Sequence, residues 1–356
     1  MQTKVFHIST TDIDYSAINE CAEIIKRGGL VAFPTETVYG LGSDATDEDA
    51  AKKIYSAKGR PSDNPLIIHI SNPEDAEKYA FTQPIYYRLA KAFMPGPLTV
   101  IMKKKSIIPN GVTGGLDSVA IRCPDHPIAQ ALISASETAI AAPSANISGS
   151  PSPTAGEHVI NDMNGVVDAI INGGSCEIGL ESTIVKIDDD HLTLLRPGAI
   201  TADALRCVCD DVRIASAVTE MLRENERPLS PGMKYKHYAP SVPLVLLEGE
   251  RDLVMTFLHN AQNAQKCAIL CYHEEMSKLR NERLIDIGAE EDLATQAKNL
   301  FSALRDTDKL DCDVIYAHLP TTDGIGLALY NRLIRAAAHT VKHITSDNLL
   351  IHRTKS

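Results

Sequence analysis

A lysine and an arginine flank one glycine at Lys58-Gly59-Arg60, with Asn64 and His69 close behind. Lysine carries a mobile point charge and arginine a planar fork of donors, so the two together can neutralise a polyphosphate in different geometries. The glycine lets the backbone approach the anion. The other interpretation is structural: the two residues would form an exposed basic end of a helix, where positive charges interact favourably with the helix dipole.

A second polar cluster, Ala142-Pro-Ser-Ala-Asn-Ile-Ser-Gly149 with Ser152 behind it, follows an apolar strand pattern. Loops at the ends of strands are where open α/β sheets bind ligands. Ser144 and Asn146 offer neutral hydrogen-bonding groups for a phosphate or a ribose. A purely structural strand-to-helix turn uses the same residue types, so the motif alone leaves both interpretations open.

A third cluster pairs Gly179-Leu-Glu-Ser-Thr183, before one strand, with Arg196-Pro-Gly198, after the next. Two such strands bring a serine and an arginine to the same end, where they could contact an amino acid and a nucleotide. Arg122 ends another strand and is a candidate carboxylate clamp, because a guanidinium pairs bidentately with a carboxylate. Taken singly, each of these is as easily a surface residue.

Several well-known catalytic motifs are missing from the sequence. It has no P-loop, no nucleophile elbow and no H-E-x-x-H zinc motif. The eight cysteines are scattered and form no C-x-x-C pair, so they are interpreted as reduced core residues and no protein metal site is predicted. The chemistry is therefore expected to rest on binding and polarising groups.

The elements that must position these residues follow from hydrophobic periodicity. A helix is predicted around Ala17 to Ile25, ending at Gly28-Gly29, and a second is predicted to open with a capping box of Thr46 and Asp49 and to end near Lys58-Gly59. Strands are predicted at residues 30–33, 66–70, 98–102, 119–122, 139–142, 169–171, 182–187 and 192–195. This pattern favours a large mixed sheet covered by helices.

The second half of the chain has a different order of predicted elements. Residues 202–224 read as helical, and the proline-rich stretch 227–243 cannot continue a helix or a central strand. Strands at 244–247, 267–271, 284–287 and 314–316 then alternate with helices near 251–263, 290–305 and 325–339, which is typical of a small Rossmann-like α/β domain. The predicted division is a first domain at 1–215, a helix and linker at 216–243, and a second domain at 244–356.

Composition limits the function classes. A chain of 356 residues exceeds one usual core, and its 44% apolar and 23% charged residues are ordinary for a globular protein. The net charge of −11 argues against a large non-specific nucleic-acid footprint. No apolar run approaches the length that spans a bilayer, and the first ten residues lack a signal-peptide pattern, so no membrane association and a cytoplasmic location are expected.

Taken together, these motifs resemble the YrdC-type domain of the threonylcarbamoyl-AMP synthase family. The resemblance rests on Pro34-Thr-Glu-Thr-Val-Tyr-Gly-Leu41, Lys58-Gly-Arg60, Pro95-Gly-Pro-Leu-Thr99, Ala120-Ile-Arg-Cys-Pro124, Pro143-Ser-Ala-Asn-Ile-Ser-Gly149, Ser182-Thr183 and Arg196-Pro-Gly198. Ser230-Pro-Gly-Met-Lys-Tyr-Lys-His-Tyr-Ala-Pro240, followed by an α/β domain, resembles the two-domain branch. The implied fold is a YrdC-like twisted sheet of parallel and antiparallel strands with flanking helices, plus a smaller C-terminal Rossmann-like domain.

The resemblance implies a nucleotidyltransferase. Its reaction would combine L-threonine, bicarbonate and ATP, with Mg²⁺ accompanying the ATP, to give threonylcarbamoyl-AMP, pyrophosphate and water. Other proteins would then transfer the threonylcarbamoyl group to tRNA, so no stable nucleic-acid binding is expected here. An RNA-binding or ribosome-maturation module, and carbamoyl transfer to another amine, are the alternatives.

The resemblance also implies site residues. Threonine contacts would come from Thr35, His69, Arg122 and Ser182, with the backbone of Ala142. ATP contacts would come from Lys58, Arg60, Asn64, Thr113, Ser144, Asn146, Ser152, Arg196 and Tyr235, with Lys58 and Arg60 carrying the catalytic charge screening. Tyr235 would lie in a linker that closes over the nucleotide. Without the resemblance, His69 reads more simply as a satisfied strand histidine.

Overall fold

The computed structural model describes residues 2–189, 191–220, 238–280 and 282–349. These residues divide into two compact units. The first holds the described residues up to 220 except 149–151, which belong to the second unit together with the described residues from 238 onward. The change of unit between 220 and 238 falls inside the predicted linker of 216–243.

The first unit is built on a mixed sheet whose strands run in the order β1-β8-β2-β3-β7-β4-β6-β5-β9-β10-β11. The strands are β1 (Lys4–His7), β2 (Val31–Phe33), β3 (Gly40–Asp44), β4 (Ile67–His69), β5 (Leu98–Lys103), β6 (Ser118–Arg122), β7 (Ile140–Ala141), β8 (Ala169–Asn172), β9 (Thr183–Ile187), β10 (Leu192–Arg196) and β11 (Val212–Ile214). Neighbouring pairs are both parallel and antiparallel, so the predicted mixed sheet is confirmed.

Helices cover this sheet, and their limits follow from local chemistry. They are α1 (Tyr15–Lys26), α2 (Glu48–Lys58), α3 (Ala76–Tyr79), α4 (Pro84–Phe93), α5 (Pro127–Ser136), α6 (Gly156–Met163) and α7 (Ala202–Arg206). Helices α1 and α5 pack their apolar faces on β2 and β8 in a cluster that includes Ile18, Phe33 and Leu132. The predicted helix ends at Gly28-Gly29 and at Lys58-Gly59 agree with α1 and α2 to within two residues.

The end of α2 matters most for the site. Gly59 adopts a left-handed conformation, φ 60°, and its N–H bonds back to Ser56 and Tyr55. A residue with a side chain rarely adopts this conformation, so glycine stops the helix directly after Lys58. The start of α2 differs from the prediction: Asp47, not Thr46, accepts from the N–H groups of Asp49 and Ala50. An aspartate one residue further along satisfies the same donors.

The second unit holds a parallel sheet in the order β14-β13-β15-β12-β16. Its strands are β12 (Leu244–Glu248), β13 (Cys267–Cys271), β14 (Leu284–Asp286), β15 (Val314–His318) and β16 (Val341–His343), and its helices are α8 (Arg251–Ala264), α9 (Leu293–Thr307) and α10 (Gly326–Ala336). Alternating strands and helices around a parallel sheet confirm the Rossmann-like prediction.

Three sequence-based predictions were wrong. Residues 202–220 are not one helix, because α7 ends at Arg206 and the chain returns to the sheet as β11, parallel to β10. Residues 35–42, whose polar and glycine-containing sequence predicts a turn after the first buried strand, are irregular only up to residue 39, because Gly40–Asp44 form strand β3. Cys207 and Cys209 are not core residues, since the first is exposed and the second half-buried, whereas the other six cysteines are buried.

No helix among the residues that the structure describes has the length and apolar character needed to cross a membrane.

Candidate active site

Lys58 is a buried cation at the end of α2, with only 2% of its surface exposed. Its ammonium Nζ donates to the backbone oxygen of Ser144 at 2.6 Å and also to the backbone oxygen of Asn146, and lies 3.3 Å from Asn146 Oδ1. Ser144 Oγ donates to the same amide oxygen at 2.5 Å. The structure therefore brings together three residues that were predicted from two separate motifs. The loop that contains Ser144 and Asn146 surrounds the positive charge of Lys58 with oxygen atoms.

Arg60 lies just beyond the left-handed Gly59 and is also buried. Its guanidinium donates to the backbone oxygens of Asn64 at 3.3 Å and Pro65 at 3.1 Å, directly before β4. Asn64 Oδ1 is buried and has no hydrogen-bond partner. The basic pair is thus not an exposed helix end, because both cations are turned into the protein and held by carbonyl oxygens.

A second group of predicted residues lies where β4, β6, β5 and β9 meet. His69 on β4 is the register partner of Arg122 on β6, and Arg122 is opposite Thr99 on β5. Thr99 Oγ1 lies 2.7 Å from Ser182 Oγ, just before β9. Arg196, at the end of β10, donates from Nη2 to Ser182 Oγ at 3.1 Å and from Nε to Ser182 O at 3.0 Å. The two strands deliver their serine and arginine to one end, as predicted.

The remaining predicted residues lie around these two groups. Thr35 Oγ1 donates to Val38 O at 2.6 Å, and the Ala142 N–H donates to Ile67 O at 2.8 Å in the β7 and β4 pairing. Ser152 Oγ donates to Glu181 Oε1 at 2.6 Å, next to Ser182. Thr113 Oγ1 donates to Leu116 O at 2.8 Å in a turn. Tyr235 lies outside the described residues.

Glu36 was missed by the sequence analysis. Its Oε1 lies 2.7 Å from Nη2 of Arg122, and the two side chains are only 6% and 4% exposed. The contact is an ion pair without hydrogen-bond alignment, so both Glu36 oxygens and Nε and Nη2 of Arg122 remain buried without a hydrogen bond. The only signal in the sequence was a carboxylate within a run of otherwise neutral residues, and it did not indicate its partner 86 residues away.

His69 is fully buried, and its surroundings keep it neutral. Burial and the nearby positive charge of Arg122 lower the pKa of His69 from 6.5 to about 3. Nδ1 lies 3.3 Å from Ile140 O, so a neutral ring with the proton on Nδ1 donates to that carbonyl. At neutral pH the imidazole can therefore orient a ligand by hydrogen bonding but adds no charge beside Arg122.

This depressed pKa predicts a pH dependence of stability. Between the unfolded value of 6.5 and the folded value of about 3, the unfolded chain binds a proton that the folded chain does not. The free energy of unfolding is therefore undiminished above pH 6.5 and falls as the pH drops below it, by up to about 1.4 kcal/mol per pH unit. We expect His69→Gln to flatten this fall, measured by urea unfolding in a pH series. Parallel curves for the two proteins would contradict the assignment.

The described residues contain no group of three or more His, Cys, Asp or Glu side chains placed to hold a metal ion. Lys58 donates to carbonyl and amide oxygens, and Arg60, two residues further along the chain, donates to carbonyl oxygens. This set of side chains suits the binding of an anion.

The chain matches two family models and several known proteins. A family model described as telomere recombination (Sua5, YciO, YrdC) matches residues 23–198, and one described as threonylcarbamoyl-AMP synthase, C-terminal domain, matches residues 200–338. The chain is 42% identical over 347 residues to the threonylcarbamoyl-AMP synthase of Bacillus subtilis, covering 96% of this chain and 99% of that protein. It is 44% identical over 331 residues to that of Pyrococcus abyssi, covering 91% and 95%. The crystal structure of P. abyssi Sua5 complexed with L-threonine matches with a TM-score of 0.89 and 41% identity, over 96% of this chain and 100% of that one.

Proposed function

The chain belongs to the threonylcarbamoyl-AMP synthase family, and from this premise we propose that it converts L-threonine, bicarbonate and ATP into threonylcarbamoyl-AMP, pyrophosphate and water. The reaction is a nucleotidyl transfer whose product supplies tRNA threonylcarbamoyladenosine modification. The alternative of an RNA-binding protein is not favoured, because the relatives of similar length are named as synthases.

One observation carries the proposal: strand β4 connects the two cationic groups. Arg60 binds the carbonyl oxygens of residues 64 and 65, directly before this strand, and His69 at its end is paired with Arg122. The chain from residue 65 to residue 69 spans at most about 14 Å. A separation within this limit suits a product that has a phosphate at one end and an amino-acid carboxylate at the other.

Positioning and charge screening are the chemistry that these residues can supply. The carbamate of threonine and the triphosphate are both anions, so they must be screened and aligned more than they need a base. We assign the phosphates to Lys58, Arg60 and Arg196, and the threonine carboxylate to Arg122. Ser182 accepts from Arg196 and lies 2.7 Å from Thr99 Oγ1, which supports its assignment to threonine beside an arginine that we assign to the phosphates.

We propose that Mg²⁺ enters with ATP. The absence of a carboxylate cluster among the described residues fits a cation held by phosphate oxygens and water, which is how Mg²⁺ usually binds with nucleotides. It would add positive charge at the leaving pyrophosphate. Bicarbonate as the source of the carbamoyl carbon, downstream transfer proteins, a cytoplasmic location and the lack of stable nucleic-acid binding belong to the same proposal.

The proposal is tested by pyrophosphate release. ATP and Mg²⁺ are incubated with the protein while L-threonine and bicarbonate are omitted in turn, and the adenylate is identified by mass spectrometry. We expect release only when both are present, together with the mass of threonylcarbamoyl-AMP. Release that does not require threonine would point to carbamoyl transfer to another amine, and salt-sensitive RNA binding without pyrophosphate release would point to the RNA-binding alternative.

A further inference from the structure

The buried pair of Glu36 and Arg122 is not satisfied within the protein. Four of its polar atoms, both oxygens of Glu36 and Nε and Nη2 of Arg122, have no hydrogen bond although they are shielded from solvent. Buried charged groups are normally both paired and hydrogen-bonded, because desolvation is expensive otherwise. A ligand that supplies the missing partners would therefore bind here with a large gain.

The unsatisfied atoms of Glu36 and Arg122 could bind a zwitterion, because they combine hydrogen-bond acceptors on a carboxylate with donors on a guanidinium. Nε and Nη2 form the side-on edge of a guanidinium, which binds a carboxylate bidentately. The Glu36 carboxylate has acceptors only and suits an ammonium group. An α-amino acid carries its ammonium and carboxylate on one carbon, so its site needs an acceptor and a guanidinium that are adjacent. Glu36 and Arg122 lie 2.7 Å apart.

The backbone around Glu36 is anchored while its carboxylate is not. Glu36 O accepts from Ile178 N at 2.8 Å, and the neighbouring Thr35 Oγ1 donates to Val38 O at 2.6 Å. The main chain therefore has a fixed position close to Arg122, whereas rotation of the side chain breaks no hydrogen bond in the structure. For a ligand to bind between the two charges, the Glu36 side chain must rotate away from Arg122.

The two neighbouring histidines do not compete for this role. The pKa of His69 is lowered to about 3 by burial and by Arg122, and burial also lowers the pKa of His126, whose Nδ1 is buried without a partner. Both rings are neutral at neutral pH. Asp125 and Glu177 lie close enough to affect His126 but are exposed. Glu36 is thus the carboxylate that combines burial with direct contact to Arg122.

We propose that Glu36 binds the α-ammonium of the amino-acid substrate, so that Glu36 and Arg122 together select a zwitterion. The inference rests on the proposed function and assigns a specificity-determining residue to the same site. Glu36 then discriminates threonine from hydroxy acids and other carboxylates that could reach Arg122. The amine is held beside Arg122 before it reacts with bicarbonate.

A pair of ligands tests this assignment on the full chain. L-threonine and (R)-3-hydroxybutyrate share a carbon skeleton, a hydroxyl group and a carboxylate, but the second lacks the ammonium. Calorimetric titration of both is carried out with the wild-type protein, Glu36→Gln and Glu36→Asp, together with the KM for threonine in pyrophosphate release. We expect Glu36→Gln to weaken threonine binding about tenfold or more and to change hydroxybutyrate binding less than about threefold. Glu36→Asp should recover part of the preference, because it keeps the charge.

Other outcomes would overturn the assignment. Equal weakening of both ligands in Glu36→Gln would mean that Glu36 only positions Arg122. Tighter binding of both would mean that Glu36 merely competes with carboxylates for Arg122. A wild-type protein whose pyrophosphate release does not depend on threonine would overturn the proposed function instead, and would be recognised before any variant is compared.

Discussion

Replacing Lys58 by alanine is expected to lower pyrophosphate release at least about a hundredfold, because the buried charge that we assign to the phosphates is lost. The ammonium also donates to the backbone oxygens of Ser144 and Asn146, so the variant loses these hydrogen bonds to the loop at 144–146 together with the charge. Arg60→Ala should cause a similar loss, since its guanidinium fixes the chain before β4. The measurement is steady-state pyrophosphate release at saturating threonine and bicarbonate.

The matched control is Lys52→Ala on the same helix. Lys52 has a side chain that is 67% exposed and pairs with Asp49 on the surface, so its loss should leave the rate unchanged. The threonine affinity of Lys58→Ala distinguishes loss of the phosphate site from loss of the fold. His69, Arg122 and Ser182, which are assigned to threonine, lie where β4, β6 and β9 meet, so a folded variant should still bind threonine. Near-wild-type release by both Lys58→Ala and Arg60→Ala would remove charge screening from the mechanism.

The sequence revealed Lys58 because its local signals agreed. The helix, its glycine stop and the basic pair are all encoded within a few residues, and the structure differs only in the capping residue. The contact of Lys58 with the loop at 144–146 could not be derived from spacing alone. It depends on β7 pairing with β4, which are about seventy residues apart along the chain.

Strand β3 shows where local signals were misleading. Its sequence Gly-Leu-Gly-Ser-Asp resembles a turn, yet it pairs with β2 and β7. A Cβ on Gly42 would come within 2.5 Å of Ile140 and 2.7 Å of Phe33, so glycine is required by close packing of neighbouring side chains. A glycine used for close approach looks the same in sequence as one used for a turn, because the atoms that crowd it come from distant segments.

The helix predicted over 202–224 was wrong for a related reason. Ala202, Leu205 and Val208 fit a helical period, but Cys209 and the two aspartates after it lead the chain back to the edge of the sheet. There Val212 pairs with Leu192, and a strand at the edge gains hydrogen bonds that the periodicity does not report. Glu36 was missed because its partner, Arg122 in β6, is also distant in the sequence, and local patterns do not report such a contact.

Replacing Arg122 by methionine is expected to have the largest effect on stability of any single change considered. It would leave the Glu36 carboxylate buried without a counter-charge, which costs about 3–5 kcal/mol in the free energy of unfolding. The double variant Glu36→Gln with Arg122→Met removes both charges and should recover most of that loss. Denaturant unfolding of the two single variants, the double variant and the wild type measures the coupling.

Recovery of stability without recovery of binding would separate the two roles of Arg122. We expect threonine affinity to remain at least about thirtyfold reduced in the double variant, because no guanidinium is left to bind the carboxylate. Arg206→Met is the matched control, since Arg206 pairs with Asp203 on the surface and should change stability by less than about 1 kcal/mol. A double variant that binds threonine normally would show that the pair is structural, and the carboxylate site would have to be sought elsewhere. Such a pair would be retained to hold the segment after β2 against Arg122 at the end of β6 rather than for substrate, and the unsatisfied atoms would then be a cost of the fold.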